Sequence, residues 1–316
     1  MDEKKVRVVI VHGWASSPLD AWLPWLQREL ESRGIEVIAP AFPNPKEPDI
    51  SAWVSLLRES VPAPDSGTHF VGHSLGTYVI LKFIESFPDG VRVGGVVSVA
   101  SRIKKDGKLE IDARKVLESA QEITALFSDN DYYVPLVEAA EWRKHLFAST
   151  TVLKGHGHFS RREGMTELPV VLDLVLQMSG IIHLPDRAGA ALLRDGKILL
   201  VRRLWDGQEY YAFPGGGIEH GETPSQAIER EIKEELQLAI VSGSPFLEIT
   251  NLGRRETFFL IRDFVGAPVK SAELLDTRER GIHDLVWLTY EECAKATAVY
   301  PERARHALLA ELRGHD

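Results

Sequence analysis

The chain has 316 residues, roughly twice a typical single domain, so its length predicts two independent cores. Apolar residues make up 44% and charged residues 26%, with 25 Gly and 17 Pro, which excludes a disordered, collagenous or coiled-coil chain. The 37 Lys and Arg against 46 Asp and Glu give a formal charge of -9 with no basic run, so no nucleic-acid polymer is the expected partner.

Val6 to Val11 is a β-branched run ending at Gly13, the pattern of a strand buried on both faces of a parallel sheet. Asp20 is the expected N-cap of a helix in which Trp22, Trp25, Leu26 and Leu30 share one core-facing side and Gly34 closes the end. A short strand at 35–40 and an amphipathic helix at 51–60 continue the alternation. Strands at 69–71, 94–100, 122–128 and 150–153, with helices at 77–87 and 168–178, complete a doubly wound, mostly parallel sheet. Gly180, Pro185 and Asp186 interrupt the pattern, predicting one domain at 1–181 and a second at 182–316.

Beyond the break, 189–193 and 197–203 flank Asp195-Gly196 and read as an antiparallel hairpin. A glycine loop at 215–217, a helix over 224–236, strands at 256–261 and 284–288, and a helix after Pro301 predict a mixed-sheet α/β layer structure. The single cysteine, Cys293, excludes an internal disulfide framework and fits a reducing compartment. No apolar run reaches the roughly 18 residues of a membrane helix, and Val6 to Val11 is too short for a signal-peptide core. A cytoplasmic protein without a membrane partner is the expectation.

Gly72-His73-Ser74-Leu75-Gly76 lies between a strand and a helix, where two glycines let Ser74 occupy a strained, exposed turn. The pattern is weak alone, so its partners decide it. Asp131 follows the strand at 122–128, and His158 follows the strand at 150–153, both in strand-end loops. Serine becomes a nucleophile only when a neutral imidazole takes its proton, and the imidazolium then needs an anion. Ser74, His158 and Asp131 supply those roles, with the backbone N–H groups of Leu75 and Trp14 as the expected oxyanion donors. Asp129 and His156 compete as acid and base, whereas His12 and His73 read as structural. These segments, with Val11-His12-Gly13-Trp14, Val134-Pro135 and Gly157-His158-Phe159, resemble the small α/β-hydrolase serine hydrolases of the retinoblastoma-binding-protein-9-like, YdeN-like kind. The resemblance implies esterase-type activity on a small acyl or ester substrate. Nothing between Ala100 and Glu122 is long enough for a cap domain, so an open, shallow site is expected.

In the second half, Thr223 caps a helix and Pro224 takes its first position. Glu231, Glu234 and Glu235 are spaced i, i+3, i+4, which predicts three carboxylates converging on one face. Such clustered hard oxygens need a cation and suit Mg²⁺, or Mn²⁺ in its place. Gly216, Glu222, Arg230, Glu231, Ile232, Glu234, Glu235 and Leu238 match the signature G-x5-E-x7-R-E-U-x-E-E-x-G-U, where U is bulky and aliphatic. This region therefore resembles the Nudix hydrolases and implies an α/β/α sandwich that hydrolyses a nucleoside diphosphate linked to another group X, such as ADP-ribose or a nucleotide sugar. The resemblance assigns metal contacts to Glu231, Glu234, Glu235 and the Gly215 carbonyl, water activation to Glu231 or a loop carboxylate, and a structural pair to Arg230 and Glu222. Gln237 replaces the signature's last glycine, where a left-handed residue would cost about 1 kcal/mol. A fourth carboxylate is expected from Glu273 or Glu279, and Arg202, Arg203, Arg254 and Arg255 are candidates to meet phosphates.

Overall fold

The computed structural model describes residues 5–105, 107–205, 208–270, 282–296 and 298–313. The chain divides into two compact units, Met1–Ile182 and His183–Asp316.

In the first unit, β1 (Arg7–Val11), β2 (Glu36–Ile38), β3 (Thr68–His73), β4 (Val93–Val99), β7 (Ala120–Ser128) and β8 (Ser149–Leu153) form one sheet in the order β2-β1-β3-β4-β7-β8. Every pairing in it is parallel. The period-two alternation splits β1 between two cores: Val9 and Val11 pack on one face, Val8 and Ile10 on the other. Helices α2 (Ile50–Ser60) and α3 (Leu75–Ile84) cover the first face, whereas α1 (Leu23–Glu31) and α6 (Pro169–Met178) cover the second.

Several local expectations change. Asp20 does not cap α1: the N-cap is Trp22, and Asp20 instead accepts the hydroxyls of Ser16 and Ser17. A left-handed Ala21 turns the chain between them, so Asp20 is spent on the preceding turn. Trp22 is fully buried, as expected, and Gly34 ends the helix region at φ +77. The true cap of α2 is Asp49, whose carboxylate accepts from the N–H of Ser51 and Ala52 at 2.8 and 3.1 Å. Two unpredicted helices, α4 (Ala113–Ser119) and α5 (Val137–Leu146), and a small hairpin of β5 (Lys104–Lys105) and β6 (Lys108–Leu109) fill the segments between strands.

The second unit contains a seven-stranded mixed sheet. Its expected hairpin joins β9 (Arg187–Arg194) to β10 (Lys197–Trp205) through Asp195 and Gly196, both with positive φ. The second half of β10 pairs with β11 (Gln208–Ala212), and β14 (Ile282–Thr289) runs antiparallel to β10. β9 pairs in parallel with β13 (Arg254–Val265), which pairs with the edge strand β12 (Ala239–Asn251), while β15 (Val299–Tyr300) pairs with β11. Leu199 and Val201 of β10 face α7 (Pro224–Leu236), which contributes Ala227, Ile228, Ile232 and Leu236. Ile198 and Leu200 face the opposite layer, where Cys293 of α8 (Tyr290–Lys295) meets Leu308 of α9 (Glu302–Arg313). This is the expected α/β/α sandwich. Burial of Cys293 pushes its thiol pKa up to about 11, so it is a small core residue.

Candidate active sites

Ser74 stands between β3 and α3 at φ 51, ψ -120, a conformation costly for a residue with a Cβ. The flanking glycines make it accessible for a steric reason. A Cβ on Gly72 would lie 2.5 Å from Thr77 Cα, and one on Gly76 would lie 2.2 Å from the Val11 carbonyl. Only hydrogen atoms fit there, so strand and helix approach closely enough to force the turn. Ser74 N–H donates to the Val99 carbonyl at 2.8 Å, fixing the elbow to the neighbouring strand.

His158 Nδ1 donates to Asp131 Oδ2 at 2.9 Å. Burial alone would push the Asp131 carboxyl up, but bonds from His158 and from the N–H groups of Val134 and Tyr133 outweigh it and leave the group below its usual range. The alternatives point elsewhere. Asp129 accepts from Gly155 N–H at 2.7 Å, and the half-buried His156 bonds the Lys154 carbonyl. Ser74 and His158 line one cavity, although no hydrogen bond joins them among the described residues. Unliganded sites commonly hold this pair loosely.

The His158 loop is clamped by two groups that act from far along the chain. His73 Nε2 donates to the His158 carbonyl at 2.8 Å, and Trp22 Nε1 donates to the Phe159 carbonyl at 3.0 Å. Burial, reinforced by the nearby His158 ring, drives the His73 pKa down to about 4, so it stays a neutral donor. His12 is likewise buried with a lowered pKa; its Nδ1 donates to the Gly13 carbonyl while Nε2 accepts from Phe42 N–H. Because the peptide plane is rigid and trans, fixing that carbonyl fixes the opposite direction of Trp14 N–H. Leu75 opens α3, where an N–H has no acceptor within its own helix.

Ser74 and His158 line a cavity of about 890 Å³, whose lining includes Arg102, Ile103 and Lys104, at and before the β5–β6 hairpin.

In the second unit, Thr223 Oγ1 accepts from Gln226 N–H and Gln226 answers at Thr223 N–H, a reciprocal cap that fixes the start of α7. Arg230 grips Glu222 with two bonds of 2.8 and 2.9 Å and also donates to the Gly217 carbonyl, tying the glycine loop to the helix. This pairing holds Arg230 in its charged form and brings the Glu222 pKa down to about 2. Gln237 is left-handed at φ 57, as its position in the signature required.

The three helix carboxylates do not converge as expected. Glu231 and Glu234 turn to Arg230 at 2.7 and 3.3 Å, and Glu235 accepts from Gly215 N–H at 2.9 Å. Among the described residues, no three acidic, histidine or cysteine side chains form a metal cage. Like charges on one face repel, and Arg230 is the nearest cation on the same helix. Arg187, which sequence reasoning missed, donates to the carbonyls of Phe213 and Gly215 at 3.0 and 2.8 Å. A Cβ on Gly216 would meet the Glu231 carboxylate at 2.3 Å, so the loop lies directly against that side chain. Burial and the neighbouring Glu231 charge raise the Glu235 pKa against the opposing Gly215 bond. Adjacent carboxylates beside a loop carbonyl are the hard-oxygen donor set that a divalent cation fits.

Arg202, Arg254 and Arg255, candidate phosphate contacts, are paired with Asp284, Glu256 and Asp186 at 2.7, 2.7 and 2.9 Å. Arg203 lies within electrostatic reach of Glu235. Glu273 and Glu279 lie outside the described residues. No helix among the described residues is long and apolar enough to cross a membrane.

The serine hydrolase family model matches residues 8–177, more than half of the chain, and the NUDIX domain model matches 183–308. YdeN of Bacillus subtilis, named a hydrolase, is 29% identical over 178 residues that span 54% of this chain and 94% of that protein. The crystal structure of the B. subtilis ydeN gene product superposes with a TM-score of 0.52 at 28% identity, covering 55% of this chain and 98% of the other. An 8-oxo-dGTP diphosphatase of Haemophilus influenzae is 31% identical over 91 residues, 26% of this chain and 66% of its own length. The chain belongs to the serine hydrolase family through residues 8–177 and carries a NUDIX domain at 183–308, so both of its halves belong to hydrolase families.

Proposed function

We propose that the protein is a bifunctional hydrolase, a serine esterase joined to a divalent-metal-dependent Nudix diphosphohydrolase. The observation that carries the first activity is His158, bonded to Asp131 and lining the same cavity as the strained Ser74. Ser74 Oγ attacks the acyl carbon while His158 Nε2 takes its proton; the ester C–O bond then breaks and the alcohol leaves with that proton. Water repeats the sequence and frees the acid. Asp131 stabilises the imidazolium, and the N–H groups of Trp14 and Leu75 meet the developing oxyanion.

The second activity is supported by the Arg230–Glu222 clamp, which ties the glycine loop to the helix beside Glu231 and Glu235. Glu231, Glu234, Glu235 and the Gly215 carbonyl would hold Mg²⁺ or Mn²⁺, with the Gly215 carbonyl shared with Arg187. The ion, when bound, neutralises diphosphate oxygens and makes water more acidic. Glu231 takes the proton of the water that attacks one phosphorus, the bridging P–O bond breaks and the other phosphate leaves with its substituent, while Arg230 keeps the loop in register with the helix. The substrate is a nucleoside diphosphate linked to X, of the ADP-ribose or nucleotide-sugar type. The diphosphatase relative favours a second reading, a nucleoside triphosphate.

The test is Mg²⁺-dependent phosphate release, coupled to a phosphatase, across ADP-ribose, nucleotide sugars, dinucleotides and nucleoside triphosphates. The first reading predicts a preferred diphosphate-linked substrate that the Glu234→Gln variant does not cleave. A triphosphate preference selects the second reading, and silence across the panel contradicts catalysis by this unit.

A further inference from the structure

The cavity around Ser74 reverses the charge of the protein that contains it. The chain carries a formal -9, yet four cationic side chains, Arg102, Lys104, Arg161 and Arg162, line this cavity against two acidic ones, Asp20 and Glu110. Internal pairs account for part of this. Arg161 lies 3.5 Å from Asp20, and Lys104 lies 2.5 Å from Glu141 behind the wall. Nearby Glu163 is turned toward Ser160 and the Tyr132 hydroxyl. Neither Arg102 nor Arg162 forms an ion pair among the described residues; Glu110 is the remaining acidic side chain on the cavity wall, and Glu138 acts on Arg102 through its charge alone. Arg162 lies over the Tyr132 ring at 4.8 Å and also hydrogen-bonds the Tyr132 hydroxyl, a neutral partner that does not offset its charge.

Aromatic surface completes the pattern. Trp14, Tyr132 and Tyr133 line the same cavity and are 58%, 49% and 51% exposed. Tyr133 packs edge-on to the His158 ring at 4.9 Å, so this surface reaches the reacting groups. A cleft with one sign of charge on low-dielectric walls concentrates ligands of the opposite sign.

We propose that the substrate of the Ser74 site is an anionic ester, carrying a carboxylate or phosphate group that Arg102 and Arg162 receive while its apolar body lies on the aromatic wall. This rests on the serine-esterase reading above and adds the substrate class to it.

The test uses the full-length protein and two matched pairs of esters. The first pair places the charge on the acyl side, 4-nitrophenyl hemisuccinate against 4-nitrophenyl butyrate. The second places it on the alcohol side, the butyryl ester of 4-hydroxyphenyl phosphate against phenyl butyrate. In at least one pair, kcat/KM for the anion should exceed that of the neutral ester by about tenfold, the worth of a hydrogen bond to a charged group. The Arg102→Gln, Arg162→Gln double variant should remove most of that ratio, as should raising salt, while Arg114→Gln, on the exposed face of α4 outside the cavity, should not. Comparison of the two pairs shows which side of the ester carries the anion. Equal or preferred turnover of the neutral ester in both pairs overturns the proposal, as does a ratio that survives the double variant. Failure of the underlying reading looks different: ester turnover would then be absent, or unchanged by Ser74→Ala.

Discussion

Replacing Gly76 by alanine tests how the Ser74 turn is built. The new methyl carbon would sit 2.2 Å from the Val11 carbonyl oxygen and 2.5 Å from that of His12, against 3.4 Å or more for ordinary contact. Both obstacles are backbone atoms of β1 and the loop after it, so no rotamer change relieves them. Strand and helix must separate by about 1 Å, in the direction that moves Ser74 away from the Trp14 loop. Overpacking of this size costs about 3 kcal/mol, which lowers the melting temperature of a unit this large by about 6–12 °C. Displacing a nucleophile by about 1 Å reduces turnover by about 100-fold. Scanning calorimetry and ester kcat/KM read the two effects, and metal-dependent diphosphatase activity in the same protein serves as an internal reference. A Gly76→Ala protein with wild-type melting and ester turnover would refute the steric account of the elbow.

Gln237→Gly should stabilise the second unit by about 1 kcal/mol, because it removes a left-handed non-glycine residue, and thermal melting should show a rise of about 3–5 °C. Asp131→Asn should lower ester kcat by about 10³–10⁴ with little change in KM, since the imidazole loses its orienting anion; a fall below tenfold in steady-state assays would contradict that role. Folded His73 has its pKa near 4 instead of 6.5, so the folded state resists protonation that the unfolded chain accepts. Its stability contribution is complete above pH 6.5 and is lost as pH falls toward 4, by about 3 kcal/mol in all. Chemical denaturation of wild type and His73→Gln between pH 7 and pH 4 should show a smaller acid loss in the variant. The native Cys293 thiol should not react with Ellman's reagent at pH 8 and should do so after unfolding; rapid native reaction would contradict its burial.

The legible parts were those whose signal is local. Ser74, Asp131 and His158 each follow the end of an expected strand, and Arg230 follows Glu222 at a spacing that one helix and one loop fulfil by themselves. Burial of β1 on both faces was equally readable from its β-branched run. The hidden parts depend on distant backbone. His73 and Trp22 bond carbonyls 85 and 137 residues away, and Arg187 bonds carbonyls 26 and 28 residues away, which no window of sequence displays. Helix α5 was missed because it begins without a side-chain cap and buries Glu138 beside Ala139, Trp142 and Leu146, which blurs its apolar stripe. Strand β12 was missed because an exposed edge strand containing Gly243 and Pro245 lacks alternation, and its register slips at those residues. The carboxylate face of α7 followed helical spacing on the backbone, but the side chains answered to Arg230 and Gly215, neither of which the spacing contains.

The most direct test of two separate hydrolytic sites is a two-by-two comparison on the intact chain: ester hydrolysis and Mg²⁺-dependent diphosphate hydrolysis, each measured in Ser74→Ala and in Glu234→Gln. The account predicts that Ser74→Ala abolishes ester turnover and retains diphosphatase activity, while Glu234→Gln does the reverse. If either activity survives its own variant at the wild-type rate, that activity does not arise from the site assigned to it.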